Sequence, residues 1–201
     1  MGAPGVVVLD YGSGNLRSAQ RALSRVGAAV TVTADRAAAL AADGLVVPGV
    51  GAFAACLAGI DAVAAREVIE QRVVAQRPVL GICVGMQVLF SSGVEHGVET
   101  SGMAILPGVV RRLRASRVPH MGWNTVTSHP RSVLFAGVED ERFYFVHSYA
   151  AETTEGAVTT AEHGQVFVAA VERGALAATQ FHPEKSGDAG AQVLANWVNG
   201  L

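Results

Sequence analysis

Short apolar runs rich in Val, Leu and Ile alternate along the first half of the chain with stretches whose apolar residues recur at helical spacing. Val6 to Leu9, Ala29 to Thr33 and Leu45 to Val47 read as strands, the last ending at Pro48, and Asn15 to Val26 and Ala37 to Ala42 read as helices. Asp61 to Ala75 predicts a further helix, Pro78 to Ile82 a buried strand and Met86 to Ser91 another helix. Such alternation implies a parallel core. Beyond Met103 the pattern turns to extended segments: Ile105 to Leu113, Asn124 to Thr127, Phe143 to Val146, Val158 to Glu162, Val166 to Val171 and Leu176 to Phe181. A last helix follows from Ala189 to Val198. Antiparallel additions to the sheet account for these later strands. The expected fold class is therefore α/β, an open, mostly parallel sheet flanked by helices with antiparallel additions.

Composition narrows the picture without adding chemistry. A chain of 201 residues, 50% hydrophobic and 16% charged, is expected to form one domain, residues 1–201, with a substantial core. The net charge of -2 gives no electrostatic case for nucleic acid. Arg111, Arg112, Arg114 and Arg117 cluster locally, which fits a solvated strand edge or a basic patch facing a protein partner. Cys56 and Cys83 make no disulfide framework, no signal peptide opens the chain, and no apolar run reaches the length of a membrane span, so the expected setting is cytoplasmic with no membrane association. The six histidines are dispersed, without Cys-x-x-Cys or His-x-x-x-His pairs, so no metal and no cofactor is expected.

Two motifs carry chemistry. Gly81-Ile82-Cys83-Val84-Gly85-Met86-Gln87 places Cys83 where the predicted strand turns into a helix, an elbow that would expose the sulfur and favour its thiolate at the helix N-terminus. Taken alone, Cys83 reads first as a small buried hydrophobe. His182-Pro183-Glu184 changes the balance: in an extended segment His182 and Glu184 project to one side, with the carboxylate able to orient the ring. Cys56, in Ala52 to Ala58 without a nearby histidine, reads as helix packing. Gly49 and Gly51 after the third strand spell a plain turn, or a backbone able to aim N–H groups at a developing oxyanion beside that of Val84. Ligands in open α/β sheets gather at the carboxyl ends of the strands, where both motifs fall.

The sequence G-I-C-x-G-M-Q with H-P-E-K-S resembles the class I, triad-type glutamine amidotransferases. Asp10-Tyr11-Gly12-Ser13-Gly14-Asn15-Leu16, Pro48-Gly49-Val50-Gly51-Ala52-Phe53, Pro119-His120-Met121-Gly122-Trp123-Asn124 and Tyr144-Phe145-Val146-His147-Ser148-Tyr149 extend the likeness to the glutaminase subunits of imidazole glycerol phosphate synthases, over nearly the whole chain. The resemblance implies a flavodoxin-like fold and a Cys83, His182 and Glu184 triad. It assigns Val50, Gly51 and Val84 to the oxyanion hole, and Gly51, Gln87, Glu95, Ser148 and Tyr149 to holding glutamine. It implies a separate (β/α)8-barrel synthase subunit as heterodimer partner, faced by Tyr11, Asn15, Trp123, Tyr144 and Lys185, the only lysine. In that family ammonia passes to the synthase, which converts PRFAR to imidazole glycerol phosphate and AICAR in histidine biosynthesis. The chain ends at Leu201, so the acceptor domain is expected on another chain. The alternatives are the glutaminase subunit of anthranilate or aminodeoxychorismate synthesis, against which the D-Y-G-S-G-N-L and M-G-W-N segments argue, or a non-catalytic binding module of the same fold.

Overall fold

The computed structural model describes residues 2–201. The chain opens with β1 (Gly5–Leu9), α1 (Leu16–Arg25), β2 (Ala29–Thr33), α2 (Arg36–Ala41) and β3 (Gly44–Gly49). Next come α3 (Phe53–Ala62), α4 (Ala65–Val74), β4 (Val79–Cys83) and the one-turn α5 (Val84–Gln87). Three strands follow, β5 (Phe90–Glu95), β6 (Val98–Ser101) and β7 (Leu106–Arg112), and then a pair, β8 (His120–Thr125) and β9 (Arg142–His147). The chain closes with β10 (Tyr149–Ala151), β11 (Ala157–Glu162), β12 (Val166–Arg173), β13 (Leu176–Thr179), a 3₁₀ turn at Pro183–Lys185 and α6 (Gly187–Val198).

The main sheet has seven strands in the order β11-β12-β13-β4-β3-β1-β2. From β13 to β2 every pairing is parallel, and β12 and β11 add antiparallel. Strands β3 and β4 are buried along their whole length, which is why Leu45, Val46 and Val47 and Val79 and Leu80 read as unbroken apolar runs rather than alternating ones. Burying an aliphatic side chain of this kind stabilises by about 1.5–3 kcal/mol. Arg72 on α4 is fully buried, and its guanidinium donates to the carbonyls of Ala39, Leu40, Ala42, Asp43 and Pro78. One side chain thus ties the loop entering β3 to the residue before β4.

The later strands depart from the expectation of additions to one sheet. Only β11 and β12 extend it antiparallel. Strands β10, β7, β5 and β6 make a separate four-stranded sheet, β8 and β9 a two-stranded ribbon, and β13 runs parallel beside β4. The predicted helix from Met86 to Ser91 shrinks to one turn, because Phe90 onward pairs with β6 and β7 and sheet pairing overrides local spacing. Met86, Val88, Leu89 and Phe90 are all buried, so their spacing carried no helical face. The predicted helix from Asp61 to Ala75 is two helices: the chain breaks at Ala64, with φ 51 in the left-handed region, where Arg66 pairs with Asp61. Pro48 lies inside β3, beyond the reach of β1, where no ladder needs its missing N–H on that side. The strand expected from Asn124 to Thr127 sits earlier, at β8, in register with β9 from His120↔His147 to Thr125↔Arg142.

Beneath the ribbon Phe135, Phe143, Phe145, Phe167 and Phe181 pack edge to face, and they seat it against the main sheet. The ribbon leaves Met121 and Trp123 exposed on its outer side.

Candidate active site

At the carboxyl ends of β3 and β4 two backbones meet without side chains between them. A Cβ on Gly85 would lie 1.9 Å from Val47 O, and one on Gly49 would lie 2.1 Å from Gly85 N, so only glycine lets the elbow after β4 seat against the end of β3. Cys83 occupies the elbow with φ 56 and ψ -115, a conformation that costs a non-glycine residue roughly 1–3 kcal/mol and persists only where the surroundings impose it. Contrary to an exposed elbow, Cys83 is 4% accessible: its sulfur meets solvent only through a pocket.

That pocket, about 210 Å³, is lined by Val50 and Gly51, by Cys83, Val84, Gln87 and Glu95, by Val146, His147, Ser148 and Tyr149, and by His182 and Lys185. Every residue expected for nucleophile, base, oxyanion hole and glutamine binding reaches it except Glu184, which stands behind His182. A larger depression of about 630 Å³ beside Trp123, Arg142 and Asp188 is lined by no cysteine or histidine, and its Ser186 hydroxyl is engaged by Tyr144 N–H and His182 O.

His182 Nδ1 and Glu184 Oε1 are 2.7 Å apart, with both side chains 2% exposed. The pairing was expected from an extended alternation, but the structure makes it through the 3₁₀ turn, in which the N–H of Lys185 donates to His182 O. Burial works against the imidazolium, yet interactions with Cys83 and then Glu184 outweigh it and push the His182 pKa up to about 9. The same Glu184 oxygen accepts from Asn15 Nδ2. Asn15, expected at a partner surface, therefore orients the carboxylate from the loop before α1.

Tyr11 is also moved by the structure. Expected to face a partner, it is 5% exposed and its hydroxyl donates to Pro48 O. Burial pushes that hydroxyl far above its usual range, which keeps it a donor. Trp123 is 53% exposed and packs edge-on against Tyr144, while Lys185 is exposed beside the pocket.

The segment after β3 is held by side chains from two directions. Val50 N–H donates to Ser13 Oγ at 3.1 Å, and the Cys56 thiol donates to Val50 O at 3.3 Å. Cys56 thus packs on α3 as expected and also touches this backbone. Val84 is the first residue of α5, where amides lack intrahelical acceptors and remain free to donate. Glu95, at the end of β5, accepts the Phe53 N–H at the start of α3.

Gln87 is 3% exposed and engaged rather than lying on a polar helix face: its Nε2 donates to Tyr149 O at 2.8 Å and to Gln180 Oε1 at 2.9 Å. Gln180 Nε2 in turn lies 3.7 Å from Cys83 Sγ. Neither Gln180 nor Ser13 emerged from the sequence as a site residue. Gln180 had a signal, since it precedes His182 by two in an extended segment and shares its face. On the other wall His147 Nδ1 donates to Tyr149 O at 2.9 Å, and its Nε2 lies 3.0 Å from His120 Nδ1. Burial pushes both rings down, His120 to about 4 and His147 to about 3, so both are neutral at pH 7. A thiol beside a raised, carboxylate-oriented histidine, with the helix-start N–H of Val84 next to it, is an arrangement suited to acyl transfer through a thioester.

Among the described residues no helix is long and apolar enough to cross a membrane. The chain is 65% identical over 206 residues to the imidazole glycerol phosphate synthase subunit HisH of Mycobacterium tuberculosis, with all of both chains covered. It is 61% identical to the protein of that name from Thermobifida fusca, with 97% of this chain and 98% of the other covered. Among solved structures, a glutamine amidotransferase superposes with a TM-score of 0.76 at 20% identity, covering 98% of this chain and all of the other. PurLQS from Thermotoga maritima superposes at 0.69 and 19%, covering 98% and 99%. These two likenesses speak for the fold alone. Residues 7–200 match the family described as glutamine amidotransferase class-I, and with that match and the identity to HisH proteins the chain belongs to the class-I glutamine amidotransferase family.

Proposed function

We infer that this chain is the glutaminase subunit of an imidazole glycerol phosphate synthase, hydrolysing glutamine to glutamate and ammonia and delivering the ammonia to a synthase subunit in histidine biosynthesis. The observation that carries the chemical part is the buried His182–Glu184 pair beside Cys83 at the floor of a pocket of about 210 Å³. The assignment to this synthase, over the anthranilate and aminodeoxychorismate alternatives, rests on the 65% identity across the full chain to HisH.

In this reading residues 1–201 act as one amidotransferase unit. Cys83 as thiolate attacks the side-chain carboxamide carbon of glutamine, and the N–H of Val84 with one from the Val50–Gly51 segment holds the oxyanion. His182 protonates the departing ammonia, leaving a γ-glutamyl thioester, and then takes a proton from the water that releases glutamate. Glu184 orients His182, and Asn15 orients Glu184. Gln87, Glu95, Ser148 and Tyr149 hold the ends of the substrate. The partner is a (β/α)8 barrel that docks on the exposed Trp123 and Lys185 and the half-buried Tyr144, and the cyclisation of PRFAR is its chemistry. The setting is cytoplasmic, which suits two free, buried cysteines.

Copurification with the candidate synthase subunit, followed by glutaminase kinetics with and without its nucleotide substrate, tests the proposal. Formation of the complex with a large rise in kcat and little change in KM is expected. Failure to bind that subunit, with ammonia delivered instead to an anthranilate or aminodeoxychorismate synthase subunit, would overturn it.

A further inference from the structure

The carbonyl of Tyr149 fixes the direction of a buried amide chain that ends on sulfur. A backbone carbonyl only accepts, so the Gln87 atom 2.8 Å from it is Nε2, and the Gln180 atom 2.9 Å from that nitrogen is an oxygen. This leaves Gln180 Nε2 facing Cys83 Sγ at 3.7 Å, a contact length suited to the large sulfur atom. The second lone pair of Tyr149 O takes His147 Nδ1–H, so neither amide can turn over without setting acceptor against acceptor. Gln180 is 1% exposed, and its own backbone N–H donates to Ala169 O at 2.8 Å. Burying a carboxamide is costly unless its polar atoms are used, and a methionine or leucine would fill this space without that cost. The amide nevertheless spends its donor on Cys83.

We propose that Gln180 is a further catalytic residue, whose side-chain N–H donates to the Cys83 sulfur in each state where that sulfur carries negative charge. The proposal rests on the nucleophile reading given above. Sulfur is charged twice in that cycle: as the thiolate before attack, and again during deacylation. There water adds to the thioester carbonyl carbon with its proton passing to His182. The tetrahedral intermediate then collapses by breaking the C–S bond, the electron pair returns to Sγ, and glutamate leaves with the new C–O bond. In the thioester between these states the sulfur is neutral and a weak acceptor. A donor that strengthens as the C–S bond breaks assists deacylation, whereas before attack it steadies the reactant thiolate. Loss of the donor therefore slows thioester hydrolysis more than ammonia release.

Gln180→Met removes the donor at similar length, and Gln180→Glu keeps an acceptor for Gln87 Nε2 but sets a negative charge against the sulfur. Both are made in the complex with the synthase subunit, with glutamine as substrate, and quenched-flow mixing follows ammonia release and the protein-bound glutamyl adduct by intact mass. Steady turnover should fall about tenfold in Gln180→Met, as expected for a hydrogen bond to a charged group. The first turnover of ammonia should be kept, the adduct should accumulate, and Gln180→Glu should fall further. The pH of half-maximal alkylation by iodoacetamide should rise in the order Gln, Met, Glu. A space-filling role predicts that turnover suffers in the reverse order, with the glutamate nearest wild type, and that neither adduct nor alkylation profile moves; that result overturns the proposal. Gln180→Asn, which retracts the amide by one methylene, gives the same discrimination if Gln180→Met does not fold. If wild-type protein forms no adduct and Cys83→Ala keeps its turnover, the nucleophile reading itself fails and Gln180 loses its role with it.

Discussion

Replacing Ser13 with alanine should raise the glutaminase turnover of the free chain. The Val50 N–H, one candidate oxyanion donor, is engaged by Ser13 Oγ at 3.1 Å, while the carbonyl of the same residue takes only a thiol from Cys56 at 3.3 Å. Turning the Gly49–Val50 peptide toward Cys83 gives up the neutral hydrogen bond to Ser13, and the Val50–Gly51 peptide that follows is held only by the weak thiol bond. A neutral bond contributes a net of about 0.5–1.5 kcal/mol, so its removal should multiply the population of the donor-competent form by roughly 2- to 13-fold. An absent oxyanion donor costs about 10²–10³ in kcat, so the variant should recover about one decade of that deficit and not all of it. Steady-state ammonia release from the free chain and from the complex with its synthase subunit measures this. Turnover of the free variant should rise with KM nearly unchanged, and the fold-stimulation by the partner should shrink by the same factor. A free variant no faster than wild type, with normal turnover in the complex, would refute the idea that Ser13 restrains this donor.

Five further outcomes are expected. Cys83→Ala should abolish glutamine hydrolysis while binding of the partner and synthase activity on supplied ammonia persist; glutaminase turnover retained in that protein would remove the nucleophile role. Glu184→Gln should reduce kcat less than loss of His182 does, because the carboxylate orients the base without carrying the proton. His182 has its folded pKa raised to about 9 from 6.5, so its stabilisation is complete below pH 6.5 and fades as pH rises through about 9. Glu184→Gln should flatten the decline of melting temperature across that interval, and an unchanged slope would count against the pair. His120 and His147 have the opposite sign: with folded values near 4 and 3, the unfolded chain binds protons below pH 6.5 that the folded chain refuses. Stability should then fall with acid by up to about 1.4 kcal/mol per proton per pH unit, and His147→Gln should lessen that slope in pH-dependent urea melts. Arg72→Leu leaves the carbonyls of Ala39, Leu40 and Asp43 in search of donors, while Ala42 O keeps Arg77 and Pro78 O keeps the Leu45 N–H, and it should destabilise by at least about 3 kcal/mol in the same assay, with a urea midpoint near wild type as the contrary result.

The parallel half of the fold was legible because β1, β3 and β4 are buried along nearly their whole length, edge strand β2 turns Val30 and Val32 to the core in alternation with threonine, and helices separate the strands. Runs such as Val6 to Leu9 and Ala29 to Thr33 therefore match the observed strands to within a residue. The second sheet and the ribbon were not legible, because their pairings join distant segments: β5 beside β7, and β10 beside β7 across the whole ribbon. Met86 to Phe90 misled for a physical reason, since residues buried on every side have no period to read. At the site, Cys83, His182 and Gln87 were visible because their motifs are local. Asn15 and Ser13 act on groups 169 and 37 residues away, and no spacing rule joins them; Gln180 shared a face with His182, but its contact with Cys83 spans 97 residues. Tyr11 misled in the other direction: tyrosines suit interfaces, but this one spends its hydroxyl on Pro48 O in the core.

The site combines parts that can shift with parts that cannot. Backbone contact between Gly85 and Val47 leaves no room for the elbow to move, and the two glutamine amides are locked by an acceptor that cannot reverse. Glu184 is clasped by both His182 and Asn15. The two peptides flanking Val50 are different: the N–H of the first leans on one hydroxyl, the carbonyl of the second on one thiol, and Gly51 has φ +88, a region open to glycine at little cost. In the proposed docking over Trp123 and Lys185 a partner therefore has little to gain by reshaping the nucleophile or its base, and most to gain by turning one peptide. A donor supplied in that way acts on the oxyanion and barely on bound glutamine, so the coupling belongs in kcat rather than in affinity.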